Sequence, residues 1–599
     1  MVHYNVRIEN PHAHHFGVSC TISEPDPAGQ QLSLPAWIPG SYMIRDFARN
    51  ILWLKAESEA GPLEIEKLDK QQWRCAPCEG PITLHYRIYA WDQSVRSAHL
   101  DQTHGFFNGT SLFLSVTGQE QTPHQVTLNA PDQLAWRVAT TLPATEVDAE
   151  GWGSYHCESY DALIDYPVEM GSFERIDFSV CGIPHALILS GHQDADHQRL
   201  AADLTRICEQ HSHFFGDDTP PVEQYLFLTT VVGEGYGGLE HRDSCVLICS
   251  REDLPHKGET EISDHYLQFL GLCSHEYFHL WNIKRIKPAL FTPYQLQSES
   301  YTRQLWAYEG ITSYFDDLAL LECGLIEPDR YLQLLGQTLT RLQRSLGKNI
   351  QSVTDSSLDA WSKFYKQDEN ANNAIVSYYV KGAAIALMID LSIRQQTQHQ
   401  ASLQQVMQQL WQQHGKSGVG TEEETIENLC RETAGGELSF LQSALYSTEP
   451  LLIEPLLQQF GIDWQLRPTT SNKDKGGISE ESLPQCWLGA SLKAAEGGLE
   501  VLRITDSSPA QQAGISAGDR IIALDQLQAT EGSVKSALYN RAPGSTLQIH
   551  LFRRDELLEM VVTLQAAPAD SVVLQQIASA DDNQLQARLQ WLGEDGTTT

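Results

Sequence analysis

Residues 275–279 read His-Glu-Tyr-Phe-His. On an α-helix, positions four apart share a face and lie about 6 Å apart along the axis, so His275 and His279 can hold one metal ion together. Glu276 then stands beside the ion rather than on it. Two imidazoles and a carboxylate leave one position open on tetrahedral Zn²⁺, and a water there has its pKa lowered to about 7. Glu276 is placed to take that water's proton. A third protein ligand is needed, and Glu309 in Leu305-Trp306-Ala307-Tyr308-Glu309-Gly310 is the best candidate. Among Trp306, Tyr308 and Ile311 a carboxylate is costly to bury unpaired. Glu299 competes, but Gln297, Ser298 and Ser300 around it read as a polar loop.

These residues need two apolar helices to position them. Ser263 or Asp264 can cap the first, which carries Tyr266, Phe269, Leu270, Leu272 and Cys273 at mostly helical spacing and runs on to Trp281 before Pro288 stops it. The second carries Glu309 and continues through Tyr314, Phe315, Leu318 and Leu321 to Gly324.

A Glu ligand in a later helix resembles one group of zinc metallopeptidases, and two further segments are similar to its aminopeptidase branch. Gly237-Gly238-Leu239-Glu240-His241 resembles the Gly-x-Met-Glu-Asn strand of those enzymes. The resemblance implies that Glu240 holds the substrate's α-amine, with Gly237 and Gly238 in the substrate-binding strand. His241 stands where that strand has Asn; a substrate contact and a satisfied strand-end histidine are both open readings. Tyr378-Tyr379-Val380-Lys381-Gly382 is similar to the Tyr-x-Lys-Gly segment that supplies a transition-state phenol. The matching position is Tyr379, with Tyr378 beside it as the alternative. The chemistry is consistent, because attack on a peptide carbonyl creates an oxyanion that a phenolic hydroxyl can stabilise. By periodicity alone Tyr379 reads as an aromatic on the buried face of the helix through Ala383, Ala384, Leu387 and Ile389.

A narrower resemblance covers nearly the whole chain. Leu34-Pro35-Ala36-Trp37-Ile38-Pro39-Gly40-Ser41-Tyr42-Met43-Ile44-Arg45-Asp46-Phe47, the zinc segment to Pro288, Trp306 to Gly310 and a PDZ-like C-terminal segment look like the glycyl aminopeptidase family. It implies a multidomain α+β protein: an N-terminal β domain over 1–167, a thermolysin-like catalytic domain over 168–468, a PDZ domain over 483–570 and a tail over 571–599. It also implies one Zn²⁺ per chain and release of N-terminal residues from peptides, small ones such as Gly and Ala preferred. A zinc endopeptidase with the same site, and a scaffold that works through its PDZ domain with an inactive peptidase lobe, are the alternatives.

The patterning along the chain supports this organisation. Ile82, Leu84, Tyr86 and Ile88 alternate with Thr83, His85, Arg87 and Tyr89 in a region that reads as all-β. Short strand-like runs continue to about 250, including Tyr225 to Val232, with one helix near 196–213. From 263 to about 460 the patterns are helical; Thr421-Glu422-Glu423-Glu424 has capping-box spacing, and Gly415 and Gly435-Gly436 mark stops. Residues 470–482 read as a polar linker. After it, Trp487-Leu488-Gly489-Ala490, Ser508-Pro509-Ala510 and Gly518-Asp519-Arg520-Ile521 resemble the bacterial type of PDZ domain, which implies that the loop at Leu488, Gly489 and Ala490 receives a peptide C-terminus. The stretch from about 578 to 599 reads as one amphipathic helix with a frayed end.

A net charge of −36 over 599 residues argues against nucleic acid and against anionic membrane surfaces as partners. Lys284, Arg285 and Lys287 stand out against it, either as cations following a helix C-terminus or as contacts to the carboxylate end of a short peptide. Met1 to Ile8 lacks a signal-peptide pattern and no apolar run approaches the ~20 residues of a membrane span, so a cytoplasmic protein is expected. The 12 cysteines are dispersed and suit reduced core thiols, and Cys75-Ala76-Pro77-Cys78 reads as a turn between strands. Oligomeric state leaves no signature.

Overall fold

The computed structural model describes residues 1–132 and 134–593. The chain divides into two compact units, Met1–Tyr301 with Met407–Glu423, and Thr302–Val406 with Glu424–Thr599.

The first unit begins with β structure. An eight-stranded sheet is built around Val2–Asn10, which pairs antiparallel with His15–Ile22 and parallel with His124–Asn129. Ile82–Tyr89 shows the alternating burial its sequence predicts, with Ile82, Leu84, Tyr86 and Ile88 in the core. Two four-stranded sheets accompany it. A five-stranded mixed sheet follows, ordered Glu174–Val180, Ile183–Ser190, Tyr225–Val232, Ser244–Ser250, Gly237–Glu240. Ile183–Ser190 and Tyr225–Val232 are parallel and joined by the helix His197–Phe214, the crossover that parallel strands require. Gly237–Glu240 is the edge strand, antiparallel to Ser244–Ser250, with Glu240 opposite Cys245.

The motif helix, Asp264–Phe278, starts at Ser263, whose hydroxyl accepts from Tyr266 N–H. It ends at Phe278, earlier than the expected Trp281, and His279 is its C-cap. The chain then turns back on itself: Lys284 N–H returns to the His279 carbonyl, and Arg285 donates through Nη1 to the Leu280 carbonyl and through Nη2 to Asp243. Lys284 is buried against Asp165 at 2.8 Å, and Lys287 lies over the Tyr294 ring. Two of the three basic residues are therefore engaged in internal ion pairs. Thr421 does not cap a helix. The helix Thr425–Ala434 has Glu424 at its N-cap without a side-chain bond, and Thr421 instead bridges to the Lys287–Ala289 backbone.

The second unit is helical at first. Leu305–Tyr308, Gly310–Glu322, Pro328–Arg344 and Tyr378–Gln396 are its main helices near the candidate residues. Ala371–Gln396 forms a stretch long and apolar enough to cross a membrane, which corrects the expectation that no run reaches that length; 72% of its apolar window is buried inside the protein, as in a core helix. Ile462–Pro468 pairs antiparallel with Ala569–Gln576, and these two strands flank the PDZ region. There the sheet order runs Ala490–Ala495, Gly498–Ile504, Arg520–Leu524, Thr546–Arg553, Glu556–Thr563 beside the helix Glu531–Asn540, over a core that includes Leu488, Val501, Ile521 and Ile549. A last helix spans Asp582–Leu592, and the expected frayed end beyond it, 594–599, lies outside the described residues. All 12 cysteines are free thiols, nine of them buried.

Candidate metal and catalytic centre

The motif helix is held from its far side. Tyr277 is fully buried and its hydroxyl meets His185 Nε2 at 2.9 Å; Ser274 meets His211 Nε2 at 2.8 Å; Tyr266 donates to Asp203. With that face fixed, His275 and His279 face the other way together, their Nε2 atoms 3.1 Å apart and their rings perpendicular. His279 Nδ1 lies 2.9 Å from the Asn282 carbonyl. A carbonyl only accepts, so Nδ1 carries the ring proton and Nε2 keeps its lone pair. Two ligand nitrogens on a tetrahedral ion with bonds of about 2.0–2.1 Å stand roughly 3.3 Å apart. The spacing and the tautomer both fit zinc, and the carbonyl behind His279 is the support that metal-bound histidines generally have.

Glu276 is 5% exposed and packs against the edge strand. A Cβ on Gly238 would overlap the Glu276 carboxylate, so this position is glycine because Glu276 occupies the space. One ligand atom from each of Glu240, Glu276 and His279 falls within 4.8 Å of the other two. Glu240 is itself held by a glycine from elsewhere: Gly40, at φ +88°, would place a Cβ 2.5 Å from Glu240 Oε1. Gly40 belongs to the N-terminal segment Leu34 to Phe47, whose Trp37 indole donates to the carbonyls of Gln295 and Ser298. Nothing in the sequence of that segment places it near the site; the one local signal is Pro39-Gly40, a turn dipeptide inside an otherwise apolar run.

His241 is buried, with Nδ1 3.0 Å from Asp165 Oδ1, the same oxygen that Lys284 approaches. Burial works to raise the Asp165 carboxyl, but Lys284 and His241 outweigh it and hold Asp165 well below the usual carboxylate range. Cys245, opposite Glu240 on the neighbouring strand, is pushed up by burial and by the charges of Glu276 and Glu240, and stays a thiol.

Within the second unit, Glu309 joins the helices Leu305–Tyr308 and Gly310–Glu322 and is 2% exposed. The residue after it, Gly310, meets Gly382 of the helix Tyr378–Gln396. A Cβ on Gly310 would lie 2.5 Å from Gly382 Cα, and one on Gly382 would lie 2.6 Å from the Trp306 carbonyl. The two motif glycines let the backbones touch. Tyr379 is thereby near enough to Glu309 to feel its charge; burial first and that charge second raise its phenol well above the ordinary value, so it keeps its proton. Tyr379 is half-buried, whereas Tyr378 is fully buried with its ring against Phe364. His275, Glu276, His279, Glu240, Gly237 and Gly238 are brought together in the first unit, and Glu309 and Tyr379 in the second.

In the PDZ region the Leu488 side chain enters the core, Gly489 takes a left-handed φ of 77°, and Ala490 begins the edge strand. The polar segment before it is not detached: Asn472 donates to the Leu492 carbonyl on that edge, and Tyr539 of the adjacent helix donates to the Thr470 carbonyl.

Comparison with known proteins places these features in context. Residues 3–172 match the Peptidase M61 N-terminal domain, 268–385 match the M61 glycyl aminopeptidase family and 486–564 match the PDZ domain. A crystal structure of an aminopeptidase N family protein from Idiomarina loihiensis is 47% identical, with 99% of this chain and 100% of that chain covered and a TM-score of 0.95. An M1 zinc metallopeptidase from Deinococcus radiodurans is 12% identical over 76% of this chain and 94% of its own, at a TM-score of 0.45. Yeast LTA4 hydrolase is also 12% identical, over 77% of this chain and 70% of its own, at 0.47. No curated protein matches the chain in sequence.

Proposed function

The chain belongs to the M61 glycyl aminopeptidase family of metallopeptidases, and on that premise we propose that it removes N-terminal residues, small ones such as glycine and alanine, from peptides. One zinc ion would be held by His275, His279 and Glu309. Zinc supplies Lewis acidity, which polarises a carbonyl and lowers the pKa of water to about 7.

The remaining chemistry belongs to the chain's own residues. Glu276 takes the proton of the attacking water and returns it to the departing amine. Tyr379, which keeps its proton at neutral pH, donates a hydrogen bond to the oxyanion. Glu240 pairs with the substrate's α-ammonium and so fixes which end of the peptide enters. The outer edge of Gly237–Glu240 offers backbone groups to an extended peptide, and the missing side chain at Gly238 leaves room for Glu276 to reach it. His241, fixed to Asp165, positions the strand end after Glu240. A peptide C-terminus is the proposed ligand of the PDZ loop at Leu488 to Ala490.

The observation that carries this reading is the convergence of Glu240, Glu276 and His279 within 4.8 Å beside the facing His275–His279 pair. With His275, His279 and Glu309 as the ion's ligands and Glu276 as the base, the further carboxylate of Glu240 suits the substrate's ammonium group. The test is Glu276→Gln. The variant is expected to retain zinc while kcat for alanine p-nitroanilide falls by at least about 10²-fold, the lower range for loss of a general base. Retained turnover removes Glu276 from the mechanism.

A further inference from the structure

A second set of metal-ligating side chains lies on a different element of the first unit. His99, Asp101 and His104 bracket the turn of the hairpin Ala98–Leu100 and His104–Phe107, and one ligand atom from each falls within 4.8 Å of the others. The motif-helix chemistry uses none of them.

His104 and Asp101 are supported as members of a ligand set are. His104 Nδ1 lies 3.1 Å from the carboxylate of Glu169, which is 3% exposed and also accepts from the Ser190 hydroxyl at 2.6 Å. An imidazole that gives its proton to a held carboxylate presents a lone pair at its other nitrogen, the arrangement found behind metal-bound histidines. Asp101 is fixed as well, because its Oδ1 accepts from the N–H and hydroxyl of Thr103 and from His104 N–H. That leaves Oδ2 facing His99.

His99 is 2% exposed, and only one of its two ring nitrogens has a hydrogen-bond partner. Its Nε2 lies 3.3 Å from Asp101 Oδ2, and its buried Nδ1 has no hydrogen-bond partner. With the proton on Nε2, Nδ1 is a buried acceptor with no donor; with the proton on Nδ1, Nε2 and the carboxylate turn lone pairs on each other. A cation shared by Nε2 and Oδ2 removes that opposition. The 3.3 Å separation also matches the edge of a tetrahedron with ligand bonds of about 2.0–2.2 Å. A cavity of about 590 Å³, lined in part by Thr103, His104, Ser190 and Thr230, gives an ion and its water a route to the cluster.

We propose that His99, Asp101 and His104 bind a second divalent transition-metal ion of the zinc class, with Glu169 orienting His104 and water completing the coordination. Two imidazoles and one carboxylate suit zinc or cobalt better than the oxygen-seeking calcium and magnesium. The ion clamps the hairpin at its turn.

The test counts metal in full-length protein that cannot use the motif helix. His275→Ala/His279→Ala is equilibrated with zinc chloride, freed of excess metal and examined by native mass spectrometry, with cobalt(II) absorption as a second readout. The double variant is expected to retain one zinc per chain; adding His104→Gln removes it, and adding Glu169→Gln weakens it by roughly 10–100-fold. A folded double variant without zinc overturns the proposal, as does zinc that His104→Gln leaves in place. Where His104→Gln unfolds the chain, Asp101→Asn takes its place, since it keeps the Oδ1 acceptor of the turn; unchanged zinc affinity in that variant is equally contrary.

Discussion

At the residue scale, the site depends on glycines as much as on charged side chains. Glu276 can sit against the edge strand only because position 238 has no Cβ, and Glu240 can sit where it does only because position 40 has none. Gly238→Ala is therefore expected to move the Glu276 carboxylate without touching a ligand. A displacement of about 1 Å in a catalytic group costs on the order of 10²-fold in rate. Steady-state kinetics with metal analysis checks this: kcat falls by that order while zinc content and KM stay close to wild type. Wild-type kcat in Gly238→Ala would mean that Glu276 works from elsewhere. The sequence made Glu276 and the two histidines legible because their relation is local, with the histidines four positions apart across the last turn and cap of one helix. Gly40 beside Glu240 was not legible, because two hundred residues separate them and only the folded chain makes them neighbours. The ion pair of Lys284 was hidden for the same reason: the residue follows a helix C-terminus as its position suggests, but its counter-charge, Asp165, sits in a distant segment.

At the element scale, the motif helix is anchored by two buried neutral histidines. Burial pulls His185 down to about 4 and His211 down to about 3, and each bonds a side chain of that helix, Tyr277 and Ser274. In the unfolded chain both titrate near the ordinary value of about 6.5. Between those limits the unfolded state binds more protons, so stability is full above about pH 6.5 and is lost as pH falls toward about 3. Urea unfolding at a series of pH values is expected to show a steep acid limb, and His185→Asn to flatten its upper part between about 6.5 and 4. A limb of unchanged slope would place the acid sensitivity elsewhere. Element types were readable from periodicity, as in Ile82–Tyr89 and the crossover helix His197–Phe214. Ends were less so. The motif helix stops at Phe278 because His279 and the residues after it fold back onto the last turn, and Thr421 fails as a cap because its backbone is committed to Lys287 and Ala289.

At the scale of the whole molecule, the chain comprises two compact units, and the second is tied together by its own C-terminal end. Ala569–Gln576 completes a strand pair with Ile462–Pro468, Val572 N–H donates to Thr340, and Trp591 packs on Tyr331 and Phe460 while its indole donates to the Tyr314 hydroxyl. Tyr314 lies on the helix that begins just after Glu309. Truncation before Ala569 is thus expected to destabilise the helices that hold Glu309. The Trp591→Ala contribution alone is about 3–5 kcal/mol by the usual cost of deleting a buried aromatic. Removal of 486–564 with the flanking strands joined leaves these contacts in place. Calorimetry of the two deletions distinguishes them: a large drop in Tm for the truncation and a small one for the internal deletion, with equal drops contradicting the assignment. The family resemblance made the domain order readable from sequence, but not this closure of the second unit, because the tail's partners are set by packing rather than by any motif.

In the proposed function, the enzyme acts at the amino end of a peptide because Glu240 requires a free α-amine. The most direct measurement compares hydrolysis of an alanine- or glycine-initiated peptide with that of its N-acetylated form by zinc-loaded protein, following products by mass spectrometry. The N-terminal residue is expected to be released from the free peptide, and the acetylated one to remain uncleaved. Cleavage of both at similar rates would contradict it and make the protein an endopeptidase with the same zinc chemistry.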